Sequence, residues 1–406
     1  MKFVVPVFIF LMMFSTSASA TGGIYCKAVD GRSGEISLLI GRLPVLSIIS
    51  AEVSAFGKMW STEKNAENKI IVGQAFDNAS SLLVDFTDDN IEQIKLSFNW
   101  RIVMRFEGIY TPVVTPYGDD FSIDKDRFAD VIEHLISAGV HGLIIAGTTG
   151  EYYAQSTEER IMLMKLAKEI IKGRVPLIIG TGAIRTEDSI IFAENAKAIK
   201  ADALLIATPP YAYPTSREIA LHALAIDRAA NLPAMLYNYP GRMSVMMDEE
   251  VLDRVGRSPN FCAIKESSGD INRVHLLARN YPHIQLSCGM DDQALEFFAW
   301  GARSWVCAGS NFAPEAHIAL YKACALEGDF DKGRRIMSAM LPLMSVLEQG
   351  GKFVQCIKHG LSLRGIPVGP PRKPLQPLNK DDKRALEQVV KVMNTTIESI
   401  EKEKSK

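Results

Sequence analysis

The sequence has no clustered cysteines, no paired histidines, almost no net charge and, past its first residues, no apolar run long enough to matter to a membrane. Six cysteines, Cys26, Cys262, Cys288, Cys307, Cys324 and Cys356, are scattered through 406 residues without a CxxC pair. That spacing indicates neither a zinc site nor a disulfide scaffold. Cys262, Cys288 and Cys307 fall in apolar, strand-like runs, which fits reduced, buried thiols. The histidines, His134, His141, His222, His275, His283, His317 and His359, never recur at ligand spacing, so no metal is expected. Lysine and arginine number 45 against 47 aspartates and glutamates, a formal charge of −2. This balance argues against nucleic acid or an anionic membrane as a partner, and no block of like charge restores the idea locally. Apolar residues at 47% and charged residues at 23% exclude wholesale disorder.

What is present begins with a leader. Lys2 precedes the apolar run Phe3–Phe14, and Ala18-Ser19-Ala20 forms a small-x-small cleavage site before Thr21. Residues 1–20 read as a signal peptide, too short for a transmembrane helix. Residues 21–103 mix polar runs with short apolar pieces such as Ile36–Ile40 and Ser81–Phe86. They predict a few short strands and no chemistry. Asn78-Ala79-Ser80 fits the glycosylation sequon. At Met104 a new pattern opens that runs unbroken to the end. We expect residues 1–103 to be a fused or misassigned leader and the working part to begin near Met104. Intact mass decides this, since a mature chain starting at Thr21 would overturn it.

From Gly108 onward short apolar runs alternate with amphipathic stretches. The runs are Ile109–Val114, Gly142–Ala146, Leu177–Gly180, Ala203–Ala207, Ala234–Tyr237, Phe261–Ile264, Ile284–Ser287 and Ser304–Cys307, starting about 20–35 residues apart. Each is continuously apolar, as for parallel strands buried on both faces. Between them, Thr157–Lys172 is a clear helix: Ser156 and Glu159 form a capping box, and Gly173 stops it. Asp124–Ala138 ends at Gly139 in the same way. Eight such repeats predict an α/β fold, a (β/α)8 TIM barrel, over 104–328. A doubly wound sheet would want a Gly-rich phosphate fingerprint after its first strand, and Thr111-Pro112-Val113-Val114-Thr115-Pro116 is not one. Helix-forming sequence over about 330–348, 351–364 and 380–402 predicts a C-terminal helical extension spanning 329–406.

Barrel chemistry sits at the C-terminal ends of the strands. The sixth run ends in Ile264-Lys265-Glu266. An ammonium following so apolar a run is partly desolvated, which lowers its pKa and frees an amine able to attack a carbonyl. A lysine snorkelling out of a strand end is the alternative. The second run ends in Gly147-Thr148-Thr149-Gly150-Glu151, whose hydroxyls and backbone N–H groups can converge on a carboxylate, or form a plain turn. The fifth ends in Tyr237-Asn238-Tyr239-Pro240-Gly241-Arg242. There Tyr237 can pass protons and Arg242 can hold a second carboxylate, unless they are a core tyrosine and a solvated arginine. The fourth ends in Thr208-Pro209-Pro210-Tyr211-Ala212-Tyr213-Pro214, an aromatic loop equally suited to interface packing.

Together these ends resemble the dihydrodipicolinate synthase / N-acetylneuraminate lyase family of Schiff-base aldolases, over about 106–406. The resemblance implies a (β/α)8 barrel with a helical tail, assembled as a homo-oligomer, dimer or tetramer. It implies that Lys265 forms an imine with pyruvate or another 2-keto acid, without a cofactor. Tyr237 matches the tyrosine that relays protons. Thr148 links it to a second tyrosine, matched by Tyr211 and donated across the dimer interface. Thr149 helps hold the keto-acid carboxylate, Arg242 the incoming substrate's carboxylate, and Gly289 and Val306 line the pocket. The activity implied is condensation of pyruvate with aspartate-semialdehyde, with 2-keto-3-deoxy sugar-acid cleavage or dehydration as the alternative.

The chain also departs from that pattern. Pro210 stands where synthases carry the first of two adjacent tyrosines, which weighs against lysine feedback. Tyr152 and Tyr153 are bulkier than the small residues common after the Thr-Thr-Gly-Glu turn. Pyruvate chemistry and reduced thiols suit the cytoplasm if translation starts near Met104, whereas the Met1 leader implies export. An exported, non-catalytic binding protein is the reading from another class, and the lysine, tyrosine and threonine set argues against it.

Overall fold

The computed structural model describes residues 104–403 except 257, together with 21–27, 34–42, 46–55, 58–62, 69, 71–78, 81–87 and 94–101. The signal-like leader and the last two residues of the sequon lie outside the described residues. The chain divides into two compact units, Met1–Val103 and Met104–Lys406. In the first, Thr21–Lys27, Gly34–Arg42, Leu46–Ala55 and Lys58–Ser61 form an antiparallel four-stranded sheet. Ile71–Asn78, Ser81–Thr87 and Ile94–Arg101 form an antiparallel three-stranded one. Neither carries an element of the site described below.

The second unit is a closed parallel barrel. Its strands are β1 (Gly108–Pro112), β2 (Gly142–Ile145), β3 (Leu177–Gly180), β4 (Ala203–Ala207), β5 (Ala234–Asn238), β6 (Phe261–Glu266), β7 (Gln285–Cys288) and β8 (Ser304–Val306). Each pairs with its sequence neighbours, and β8 pairs back onto β1. Nearly every strand residue is buried, because side chains facing inward fill the barrel and those facing outward meet the helices. That two-sided burial is why the runs read as continuously apolar.

The intervening helices include α1 (Lys125–Ser137), α2 (Thr157–Ile171), α3 (Thr186–Ala198), α4 (Ser216–Ala230), α5 (Pro240–Met243), α6 (Glu249–Val255), α7 (Ile271–Asn280), α8 (Ala294–Ala299) and α9 (Pro314–Tyr321). The expected capping box is present: Ser156 Oγ accepts the Glu159 N–H, and Glu159 accepts the Ser156 N–H. Three helices follow: α10 (Phe330–Glu348), α11 (Phe353–Leu363) and α12 (Lys380–Glu403). Among the described residues no helix is long and apolar enough to cross a membrane.

One boundary differs in a useful way. β6 runs two residues beyond the apolar stretch and includes Lys265 and Glu266, which pair with Ser287 and Cys288 on one side and Tyr237 and Asn238 on the other. The strand tolerates two ionisable residues because Glu266 is fully engaged by neighbours, as follows.

Candidate active site

Side chains alternate across a strand, so Tyr237 and Lys265, partners in register, share one face while Asn238 and Glu266 share the other. On that second face the buried Glu266 carboxylate accepts both the Asn238 amide, at 2.8 and 3.0 Å, and the Ser268 N–H at 2.7 Å. Asn238 Oδ1 in turn accepts the Met247 N–H at 2.9 Å. Arg273 stands 3.8 Å from Glu266. This network ties the ends of β5 and β6 together and thereby fixes the relation between Tyr237 and Lys265.

Lys265 is only 8% exposed. Burial lowers its pKa to about 8, against the opposing charge of Asp291 and smaller contributions from Tyr239, Glu348 and Cys288. At pH 7 about one molecule in ten then holds a neutral amine, against roughly one in a few thousand for an ordinary lysine. Its Nζ lies 4.0 Å from the centre of the Tyr237 ring. Among the described residues no carboxylate comes within ion-pair distance of it. Burial pushes the Tyr237 phenol well above its ordinary range, while Arg242 and the Thr148 hydroxyl pull the other way. Thr148 Oγ1 is buried, and Tyr237 is a group its hydroxyl acts on.

The turn that carries Thr148 is strained on both sides. Ala146 and Glu151, neither of them glycine, adopt left-handed φ values of +59° and +60° around the 3₁₀ turn Thr148–Gly150. A side chain at Gly150 would meet the Val113 carbonyl at 2.9 Å, and one at Gly180 would meet the Ala146 carbonyl at 2.4 Å. The Gly150 carbonyl accepts Thr115 Oγ1 and Gln155 Nε2, each at 2.8 Å. Thr149 is buried within the turn.

Gly289 follows β7 and leaves room for the lysine. A Cβ there would lie 2.0 Å from Ser267 Oγ and 2.8 Å from Lys265 Cγ. Val306 is buried at the end of β8, opposite Tyr110. Arg242 is exposed on α5, its guanidinium 5.4 Å from the Tyr239 ring centre and 5.9 Å from that of Phe353. Tyr211 is the residue that one chain does not bring to the others. It is 87% exposed with φ at +73°.

Two acids were not anticipated. Asp291 is buried just past Gly289 and accepts Trp305 Nε1 at 2.8 Å. Burial, with Glu348 adding to it, raises its pKa to about 8. Glu348, half-buried at the end of α10, also has a raised pKa from burial, which the charges of Arg242 and Lys265 oppose. The doublet Asp291-Asp292 at a barrel strand end was a usable signal for the first. Nothing local in the sequence marks the second, which arrives on a helix from outside the barrel.

The arrangement can form an imine: a desolvated amine, a phenol beside it, a hydroxyl turn for a carboxylate and a cation at the rim. Known proteins resemble the second unit along nearly its whole length. The model of the dihydrodipicolinate synthetase family matches residues 105–393. A 4-hydroxy-tetrahydrodipicolinate synthase of an Exiguobacterium species is 35% identical over 275 residues, 68% of this chain and 93% of that protein. The Bacillus subtilis enzyme of the same name is 32% identical over 289 residues, 71% of this chain and 99% of that one. Among solved structures, the 4-hydroxy-tetrahydrodipicolinate synthase of Methylacidiphilum fumariolicum superposes with a TM-score of 0.70 at 29% identity, covering 73% of this chain and 99% of that one. An E. coli prophage protein of the dihydrodipicolinic acid synthase family, solved in complex with pyruvate, gives 0.67 at 28% identity, covering 72% and 99%.

Proposed function

The chain belongs to the dihydrodipicolinate synthetase family and is an enzyme of the class I aldolase/lyase type; from that premise we propose that Lys265 forms a Schiff base with pyruvate, which the enzyme condenses with aspartate-semialdehyde as a 4-hydroxy-tetrahydrodipicolinate synthase. The observation that carries this reading is the Lys265 amine, buried, unpaired by any described carboxylate and set against Tyr237.

The neutral Nζ adds to the keto carbon, and water leaves. The protonated imine draws electrons from the neighbouring methyl carbon, so a proton departs to the Tyr237 oxygen as that phenol passes its own proton on to Thr148, and an enamine forms. The enamine attacks the aldehyde of the second substrate. Thr149 helps hold the keto-acid carboxylate, Thr148 links Tyr237 to the second tyrosine, Tyr211, and Arg242 receives the second substrate's carboxylate. Gly289 and Val306 wall the pocket. Tyr211 completes the proton path from a second copy of the chain. Its exposure and positive φ, and the same features of Tyr213, 66% exposed with φ at +51°, support that role. No cofactor enters these steps.

A second reading is favoured by Glu348. A carboxylate near Arg242 weakens that arginine's pull on a substrate carboxylate and accepts hydrogen bonds from hydroxyls, which suits a 2-keto-3-deoxy sugar acid. Borohydride reduction with pyruvate, followed by peptide mapping, tests the imine. Product analysis then separates the readings. Failure to condense pyruvate with aspartate-semialdehyde, together with cleavage of a 2-keto-3-deoxy acid, would replace the first with the second.

A further inference from the structure

The strained turn that carries Thr148 and Thr149 is held from outside the barrel. Glu151, fully buried with φ at +60°, closes that turn. Its Oε1 pairs with Lys358 Nζ on α11 at 2.8 Å, and its Oε2 accepts the backbone N–H of Arg372 at 2.9 Å. Lys358 Nζ, itself nearly buried, also donates to the Thr115 carbonyl at 2.9 Å and the Pro370 carbonyl at 3.0 Å. Arg372 donates both to Glu159, at 2.7 and 2.5 Å, and to the carbonyls of Phe121 and Ala154. Both cations lie against the ring of Tyr117, at 4.3 and 4.4 Å from its centre.

These contacts converge on one turn from a segment more than two hundred residues away. Thr115 bonds Lys358 through its carbonyl and the Gly150 carbonyl through its hydroxyl. Gln155 joins Thr115, Tyr117 and Gly150. A buried carboxylate needs a partner, and a left-handed glutamate needs something to hold it there. Lys358 and Arg372 supply both. None of their atoms needs to reach a substrate to do this.

We propose that Lys358 and Arg372 are positioning residues for the carboxylate of the 2-keto acid: by clamping Glu151 they keep the Thr148-Thr149-Gly150 turn in the shape that receives it. The C-terminal extension is thereby part of the active site. This rests on the reading of that turn as the carboxylate cradle.

The test uses the full chain with Lys358→Met, and beside it the paired variant Glu151→Gln/Lys358→Met, which removes both charges and leaves neither buried alone. One readout is the pyruvate concentration that half-saturates borohydride-trapped adduct formation. The other is hydrogen exchange of the Gly150 and Glu151 amides, which bond to the carbonyls of Gly147 and Thr148. The half-saturating concentration is expected to rise roughly tenfold or more, since small displacements of positioning groups can cost about 10²-fold. The trapping rate at saturation should change little, and the two amides should exchange faster. A folded variant, single or paired, with unchanged half-saturation overturns the proposal, as does unchanged exchange at those amides. If the unaltered protein traps no pyruvate, the proposed function fails, and the exchange measurement alone decides the clamp.

Discussion

Two lysines in the second unit are buried against a tyrosine ring. Lys265 Nζ lies 4.0 Å from the ring centre of Tyr237, and Lys358 Nζ 4.3 Å from that of Tyr117. Burial lowers both to a pKa of about 8. They part company in what else they touch. Lys358 is held by a carboxylate and two carbonyls, which commits its protons to those oxygens. Lys265 has no such carboxylate among the described residues. Desolvation alone therefore does not distinguish the nucleophile we propose from a structural cation; the surrounding acceptors do, because carboxylate and carbonyl oxygens favour the charged ammonium, which has no lone pair to offer.

The largest effect expected is the sharpest test of that contrast. Pyruvate with borohydride should label the peptide carrying Lys265 and leave the one carrying Lys358 unlabelled, and Lys265→Ala should abolish labelling. A label on Lys358 would break the comparison. Tyr237→Phe should keep a folded protein but slow turnover by about 10²–10⁴, the usual worth of a positioned proton-transfer group. Trapping would persist, because the phenol is needed after the imine forms.

Gly289→Ala probes the space around Lys265. Its Cβ would collide with Ser267 Oγ at 2.0 Å and Lys265 Cγ at 2.8 Å. The variant should lose about 1–3 kcal/mol of stability, the ordinary cost of overpacking, measured by denaturant titration, along with most of its trapping. Stability equal to the unaltered protein would show that β6 and β7 can part there cheaply.

The smallest effect concerns pH. In the proposed imine formation the neutral amine reacts, so trapping should rise with pH through a midpoint near the Lys265 pKa of about 8 and then level. The Asp291 carboxylate is the leading charge that raises that pKa, so Asp291→Asn should move the midpoint to lower pH. Because Asp291 has a pKa of about 8 itself, the displacement should be clearest where its carboxyl is ionised, above that pH. A midpoint that moves upward would show that Asp291 acts on Lys265 by something other than its charge.

Much of this was legible before any coordinates. The eight strands appear within a few residues of the apolar runs, because a strand covered on both faces has no polar side to interrupt it. Lys265 stood out for the same reason, as the first ionisable residue after such a run. Thr148, Thr149 and Tyr237 were marked by their places at strand ends. Lys358 was not, although Val354, Ile357 and Leu361 around it are buried and a lysine within so apolar a helix was a signal that could have been followed. Arg372 and Glu348 left no such trace. Glu348 ends a helix and Arg372 sits among prolines, and the meaning of each depends on which distant residue it meets.

What the chain determined by itself was periodic and local: alternation, capping at Ser156, apolar runs and the residue types that end them. These follow from the pleat of a strand and the pitch of a helix, which act within a few residues. What only closure of the barrel decided was pairing. It brought β8 back to β1 and set Tyr237 beside Lys265, while packing of the C-terminal extension carried Lys358 and Arg372 to Glu151. Electrostatic partnership depends on distance through space in a low-dielectric interior, and no pattern along the chain encodes that distance.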